Sequence, residues 1–301
     1  MHADEHCFQV LLDELIALRT DARSLLWRKP NFSKAHSSGS KNSKEQGRGI
    51  HFAENRLYQA GDDIRHIDWH ATLRTDQTYT KIFHEEKEKP IWLLVDHNPS
   101  MHFGTRQAFK SVIAARAGAL CAWAFSSQGE RVGGLVFSGT KQLSVPPKGS
   151  VHAVLPLLKH LADSSAEPPA QTDPRSLEQA FNFLLQRQLR GSLIIIFSDF
   201  WQWHSGLRAR LQSLTRKNTC IGVLIQDPLE RYLPQGGYYS ISDGQHAYKL
   251  DAYDLDFKRR YQQYSEERQI ALQQAFRQLN VSTIPLWTTD TLLTQLKTLF
   301  V

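Results

Sequence analysis

Two stretches of this chain, IWLLVD (91–96) and SLIIIFSD (192–199), are apolar without alternation. A strand with one wet face alternates apolar and polar residues. A continuous apolar run belongs to a strand covered on both faces, the situation inside a parallel sheet flanked by helices. TCIGVLIQ (219–226), STIPLW (282–287), RVGGLVF (131–137) and KQLSV (141–145) read as further strands. Between them, apolar residues recur at helical spacing near 106–127, 151–162, 176–189, 204–216, 254–279 and 290–299. Alternating strands and helices predict an α/β fold with a doubly wound, mainly parallel sheet and right-handed crossovers. YYSIS (238–242) and HAYKL (246–250), flanked by Pro234 and Gly236–Gly237, predict a hairpin insertion near 229–252.

Ahead of this pattern, Phe8, Leu11, Leu12, Leu15, Ile16 and Leu18 predict an amphipathic helix over 6–27. Residues 31–49 are rich in Ser, Gly and Lys and read as a polar loop. The expected division is an N-terminal helix, loop and charged arm over 1–88, then an α/β domain over 89–301.

The net charge of +6 is partly concentrated in 28–48, where Arg28, Lys29, Lys34, Lys41, Lys44 and Arg48 face Glu45 alone. No nucleic-acid-binding motif accompanies this cluster, so a solvated loop is the better account than a nucleic-acid site. No apolar run reaches the roughly 18–20 residues that span a bilayer. The first residues carry acid where a signal peptide carries positive charge. Cys7, Cys121 and Cys220 share no metal or redox spacing, which fits a reducing compartment. Together these predict a cytoplasmic protein.

Residues 52–74, FAENRLYQAGDDIRHIDWHATLR, hold the densest charge pattern. Glu54, Arg56, Asp62, Asp63, Arg65, Asp68 and Arg74 surround Tyr58, Gly61 and Trp69, and predict an ordered ion-pair network. Phe52, Leu57, Ile64, Ile67 and Trp69 are the expected apolar anchors, and short strands are expected around a turn at Gly61. The spacing resembles the signature of the bacterial domain of unknown function 58 family. The resemblance continues into IWLLVDHNPSMHFG (91–104) and GERVGGLVFSG (129–139). It implies a von Willebrand factor A-like fold of the short, soluble type. It also implies a partner, because proteins of that family are commonly paired with MoxR-type AAA+ ATPases that assist maturation or assembly of other proteins.

Two strands end in aspartate, at Asp96 and Asp199, and sites in open parallel sheets form beyond such ends. With Asn98 and Ser100, Asp96 resembles the Asp-x-Ser-x-Ser metal-ion-dependent adhesion site of von Willebrand factor A domains, with Asn98 in place of the first serine. Asp199 matches that site's last acidic residue, and Thr172 or Ser176 is the nearest hydroxyl for its intermediate-loop ligand. These oxygen donors suit Mg²⁺. The alternative is that Asp96 and Asp199 cap adjacent helices and bind nothing.

Enzymatic readings find less support. A phosphotransferase of the haloacid-dehalogenase type needs a second aspartate where Asn98 stands, and an amide exchanges no proton at neutral pH. The phosphate loop, dinucleotide turn and nucleophile elbow are missing. A metal-dependent hydrolase using the same strand-end carboxylates is the remaining enzymatic alternative. His66 and His70 stand four apart without the Glu of a zinc motif, and His51, His84, His97 and His102 read as surface histidines. The segment Asp227, Pro228, Leu229, Glu230 suits a turn at the rim of the site. The sequence therefore predicts a non-enzymatic protein-interaction module.

Overall fold

The computed structural model describes residues 7–25, 50–59, 63–75, 77–85, 89–166, 173–242 and 247–300. In chain order the first elements are α1 (Leu12–Ala17), α2 (Arg19–Ala22), β1 (Ile50–Leu57), α3 (Trp69–Thr75) and β2 (Tyr79–Glu85). There follow β3 (Ile91–Asp96), α4 (Lys110–Ser127), β4 (Val132–Ser138), β5 (Lys141–Lys148), α5 (Val154–Ala166) and α6 (Ser176–Gln186). Then come β6 (Leu193–Ser198), α7 (Ser205–Thr215), β7 (Thr219–Gln226), β8 (Tyr238–Ser242) and β9 (Ala247–Asp251). The last are α8 (Leu255–Gln278), β10 (Ser282–Trp287) and α9 (Leu292–Phe300). The chain divides into a larger unit, residues 1–29 with 89–301, and a smaller one, residues 30–88.

The larger unit is built on a six-stranded sheet of order β10-β7-β6-β3-β4-β5. All pairs are parallel except β4 with β5, which turn back on each other through Gly139 at φ 55°. This is the doubly wound, mainly parallel sheet expected from the strand runs. Every residue of β3, β4 and β6 is buried. Their side chains alternate between two cores: Leu93, Val95, Ile195 and Phe197 meet α4, α5 and α9, while Trp92, Leu94, Ile194 and Ile196 meet α6, α7 and α8. Burial of each such side chain contributes about 1.5–3 kcal/mol. The winding reverses between β3 and β6, which places a crevice above their carboxyl ends.

Helix α4 is apolar all round because it is enclosed by the sheet and by other helices. Small residues permit this: a Cβ on Gly118 would lie 3.1 Å from the Val95 side chain. The N-terminal helices pack here too. Leu15 is fully buried, its carbonyl accepts from Trp123 Nε1 at 2.9 Å, and Arg116 pairs with Glu14 at 2.5 Å. The first 25 residues thus group with the α/β unit. Helix begins at Leu12 instead of residue 6, because Leu11 is extended and the Val10 N–H donates to Ser165 Oγ at 3.0 Å. The hairpin β8–β9 forms where expected.

In the smaller unit, β1 and β2 pair antiparallel with an irregularity between Phe52 and Glu54. Among the described residues between Tyr58 and β2, no second short strand forms. Residues 64–66 form a 3₁₀ turn and 69–75 the helix α3, because aspartates cap both. Asp63 Oδ1 accepts from the Arg65 N–H at 3.0 Å, and Asp68 Oδ1 from those of His70 and Ala71 at 3.1 Å. Each cap satisfies helix-terminal donors that have no intrahelical partner. Leu57, Ile64 and Trp69, expected as anchors, are exposed, whereas Thr80 is buried. Gly61 and Asp62 lie outside the described residues, as does the basic loop.

Asp68→Ala should therefore cost about 1 kcal/mol, the usual value of a lost N-cap. Amide exchange at His70 and Ala71 should accelerate in this variant and recover in Asp68→Ser. Equal exchange in all three proteins would remove the capping role.

Candidate functional site

The reversal point collects the strand-end residues. Asp96, at the end of β3, is 3% exposed; its Oδ1 accepts from the Asn98 N–H at 2.8 Å and its Oδ2 from Ser198 Oγ at 2.6 Å. Asn98 is equally buried, and its Oδ1 accepts from the Gly139 N–H at 3.0 Å and from Ser176 Oγ at 2.7 Å. Ser176 thus reaches this point from the start of α6, while Thr172 lies outside the described residues. Ser100 sits half-buried in the 3₁₀ turn Pro99–Met101 and takes no part in these bonds.

Asp199 follows β6. Its Oδ1 accepts from the Trp201 N–H at 2.9 Å and its Oδ2 from Lys110 Nζ at 2.6 Å. The same ammonium donates to Glu230 Oε1 at 2.5 Å. Lys110 is fully buried in the first turn of α4, the helix end where a positive charge is least favoured by the backbone dipole. Its two carboxylates offset that cost. A left-handed backbone at Phe200, φ 49°, turns the chain so that Asp199 faces Lys110 while the Phe200 ring packs 4.9 Å from Phe276. Such a conformation costs a non-glycine residue roughly 1–3 kcal/mol and persists where the surroundings impose it.

Glu230 is held by a capping box in which its Oε2 accepts from the Asp227 N–H at 3.1 Å. Asp227, also fully buried, accepts from the Thr105 N–H and hydroxyl at 2.9 and 2.7 Å and from Thr288 Oγ1 at 2.7 Å. The loops after β3, β7 and β10 are thereby fastened together. Sequence reasoning missed Lys110 and Ser198. Lys110 opens a mainly apolar helix that also carries Arg116, and nothing in the order of residues sets it apart.

Burial and the charge of Asp199 push the Asp96 carboxyl up to about 7. Burial alone would raise Asp199, but Lys110, the Trp201 N–H and Arg268 hold it below the usual carboxylate range. Glu230 is raised, chiefly by burial. Lys110 is raised because its carboxylates outweigh its burial. His97 is fully buried, not a surface histidine; burial, then His102, pushes it down to about 3, so its ring is neutral.

The donors expected for Mg²⁺ do not form a shell for it. Both oxygens of Asp96 and both of Asp199 are hydrogen-bonded within the protein, and an ammonium rests on Asp199. Among the described residues, no group of three or more His, Cys, Asp or Glu is arranged to hold a metal ion.

Beside Asp199 a cleft of about 30 Å³ is lined by Glu230, Arg231, Ser265, Arg268, Gln269 and Trp287. It adjoins one of about 190 Å³ between α8 and the edge strand β10, which shares Gln226, Arg231, Gln269 and Trp287. Gln226 Oε1 and Arg231 Nε are buried there without a hydrogen-bond partner. The rim is aromatic and cationic. Trp201 is 51% exposed with the Arg268 guanidinium 4.2 Å from its ring, and Tyr232 is 55% exposed beside Arg231.

The Asp96 carboxyl gives a pH test. Unfolded, it releases its proton near the ordinary 3.8; folded, it keeps it to about 7. Between these values the native state binds more protons, so this group makes stability fall as pH rises. Asp96→Asn should gain melting temperature over wild type progressively from pH 4 to pH 7. A difference independent of pH would show that Asp96 titrates ordinarily.

Residues 54–271 match the family described as protein of unknown function DUF58. Uncharacterised proteins of Mycobacterium tuberculosis and Mycobacterium bovis are each 29% identical over 202 residues, covering 66% of this chain and 62% of theirs. The chain thus spans less than two thirds of the length of these curated relatives. Among solved structures, the conserved hypothetical protein BatB of Bacteroides thetaiotaomicron aligns over 70% of this chain and 96% of its own, at 8% identity and a TM-score of 0.39. A von Willebrand factor type A protein of Catenulispora acidiphila aligns over 50% and 35%, at 17% identity and a TM-score of 0.30. These structural likenesses add nothing to what the strand order shows. Because the family match spans more than half of the sequence, the chain belongs to the DUF58 family.

Proposed function

We propose that this protein is a non-catalytic interaction module that recognises a partner protein at the carboxyl edge of its sheet. The observation that carries the reading is the exposed Trp201–Arg268 pair with Tyr232 and Arg231, mounted on a rigid network that is closed within itself. Tryptophan, tyrosine and arginine dominate binding hot spots, where large rigid side chains bury area at small entropic cost. The unpartnered Gln226 Oε1 and Arg231 Nε offer an acceptor and a donor that a partner's polar groups would satisfy.

A hydrolytic use of the same carboxylates has less support. Asp96 and Asp199 are 3% and 7% exposed, and each oxygen accepts an internal hydrogen bond. With no phosphate loop in the sequence, energy for any remodelling would come from elsewhere. The partner we propose is a MoxR-type AAA+ ATPase, or that ATPase's client, in protein maturation or assembly. This rests on the family resemblance. A cytoplasmic site of action fits the free thiols of Cys121 and Cys220, and no helix among the described residues is long and apolar enough to cross a membrane.

Co-expression with a neighbouring MoxR-type ATPase, followed by affinity capture and titration, tests the proposal. Trp201→Ala and Tyr232→Ala, both exposed, should each weaken the complex about 30-fold, the equivalent of roughly 2 kcal/mol at a hot spot. Their melting temperatures should stay at the wild-type value. Unchanged affinity in both variants would place the interface elsewhere. Mg²⁺-dependent turnover of phosphate esters or peptides that Asp96→Asn abolishes would replace the interaction reading with an enzymatic one.

A further inference from the structure

We infer that the cation of this strand-end site is the Lys110 ammonium, standing where a divalent ion would otherwise bridge the carboxylates, so that the site works without metal. A Mg²⁺ ion needs a nearly octahedral set of oxygens at about 2.0–2.1 Å. Here Asp199 Oδ2 already lies 2.6 Å from Nζ and Glu230 Oε1 2.5 Å from it. A metal bonded to Asp199 would sit within a few ångströms of a second positive charge in a largely buried region, where Coulomb repulsion is less screened than in bulk water.

The ammonium is not free to swing aside. Lys110 is 0% exposed, its backbone N–H donates to the Phe103 carbonyl at 2.8 Å, and its Nζ lies 6.0 Å from the centre of the Phe103 ring. Removing it requires the start of α4 to open. Asn98 offers no free oxygen either. Asn98 Oδ1 is taken by the Gly139 N–H and Ser176 Oγ, which ties the β3 loop to the β4–β5 turn and to α6. One lysine therefore does the tethering that a bound ion would do, through bonds built into the chain.

This inference concerns the charge at the site and holds whether or not a partner docks beside it. Where the interaction reading also holds, the complex should survive chelation. The inference makes a gain-of-function prediction: deleting the ammonium should leave Asp199 and Glu230, with Asp96 nearby, as an anionic pocket that accepts a divalent cation.

The experiment is Mn²⁺ titration of the full chain followed by the electron paramagnetic resonance signal of free Mn²⁺. Wild type should leave the signal undiminished and show no melting-temperature difference between Mg²⁺ and EDTA. Lys110→Ser should remove about one equivalent of Mn²⁺ per chain and gain melting temperature with either ion. If Lys110→Ser does not fold in metal-free buffer, the same variant is refolded in Mn²⁺ with both carboxylates kept and its bound metal counted after gel filtration; failure to fold there counts against the inference. Stoichiometric Mn²⁺ binding by wild type that Asp96→Asn removes would overturn the inference. So would a folded lysine-free variant that binds no Mn²⁺. The wild-type titration, repeated on Asp96→Asn, decides the first of these.

Discussion

The architecture of this molecule's functional edge depends on one buried ammonium. Lys110 links the start of the most enclosed helix to the end of β6 through Asp199, and to the segment after β7 through Glu230. A buried lysine without partners would lose its proton or its place. Here the three groups stabilise one another only as a set. Glu230, 23% exposed at its side chain, is the most water-accessible member. Asp96 completes the balance by keeping its proton near neutrality, which spares the site a third full negative charge.

Around that triad the loops are fastened by short hydrogen bonds from side chains whose partners lie far away in sequence. Asp227 binds Thr105 and Thr288, and Asn98 binds Ser176 and Gly139. The resulting edge is rigid, and its exposed part is aromatic and basic, not acidic. Asp96 and Asp199 each accept internal hydrogen bonds at both oxygens and so serve this edge as structural ties.

The fold was legible because its strands carry the strongest kind of pattern. Two uninterrupted apolar runs fix strands buried on both faces, and the helices between them fix a parallel sheet. Asp96 and Asp199 were legible as strand ends, and Ser176 as one of two hydroxyls before α6. The electrostatics were not. Nothing in the order of residues shows that Lys110 turns inward, since side-chain direction at a helix start is set by tertiary packing. The same limit explains His97, which follows a strand end and reads as surface but lies under the loops. Within 52–74, charge density suggested ion pairs, and the structure adds caps by Asp63 and Asp68. A helix opening of the form Asp-Trp-His-Ala was a cap signal that the aromatic spacing concealed.

The account stands on coupling within the triad, and a thermodynamic mutant cycle measures it most directly. Lys110→Met should lose about 3–5 kcal/mol of unfolding free energy, because two buried carboxylates are left uncompensated. Adding Asp199→Asn and Glu230→Gln to that variant should restore a large part of the loss, with a coupling energy above about 1 kcal/mol. Strictly additive losses, with the triple variant the least stable of all, would contradict the claim that the buried ammonium organises this site.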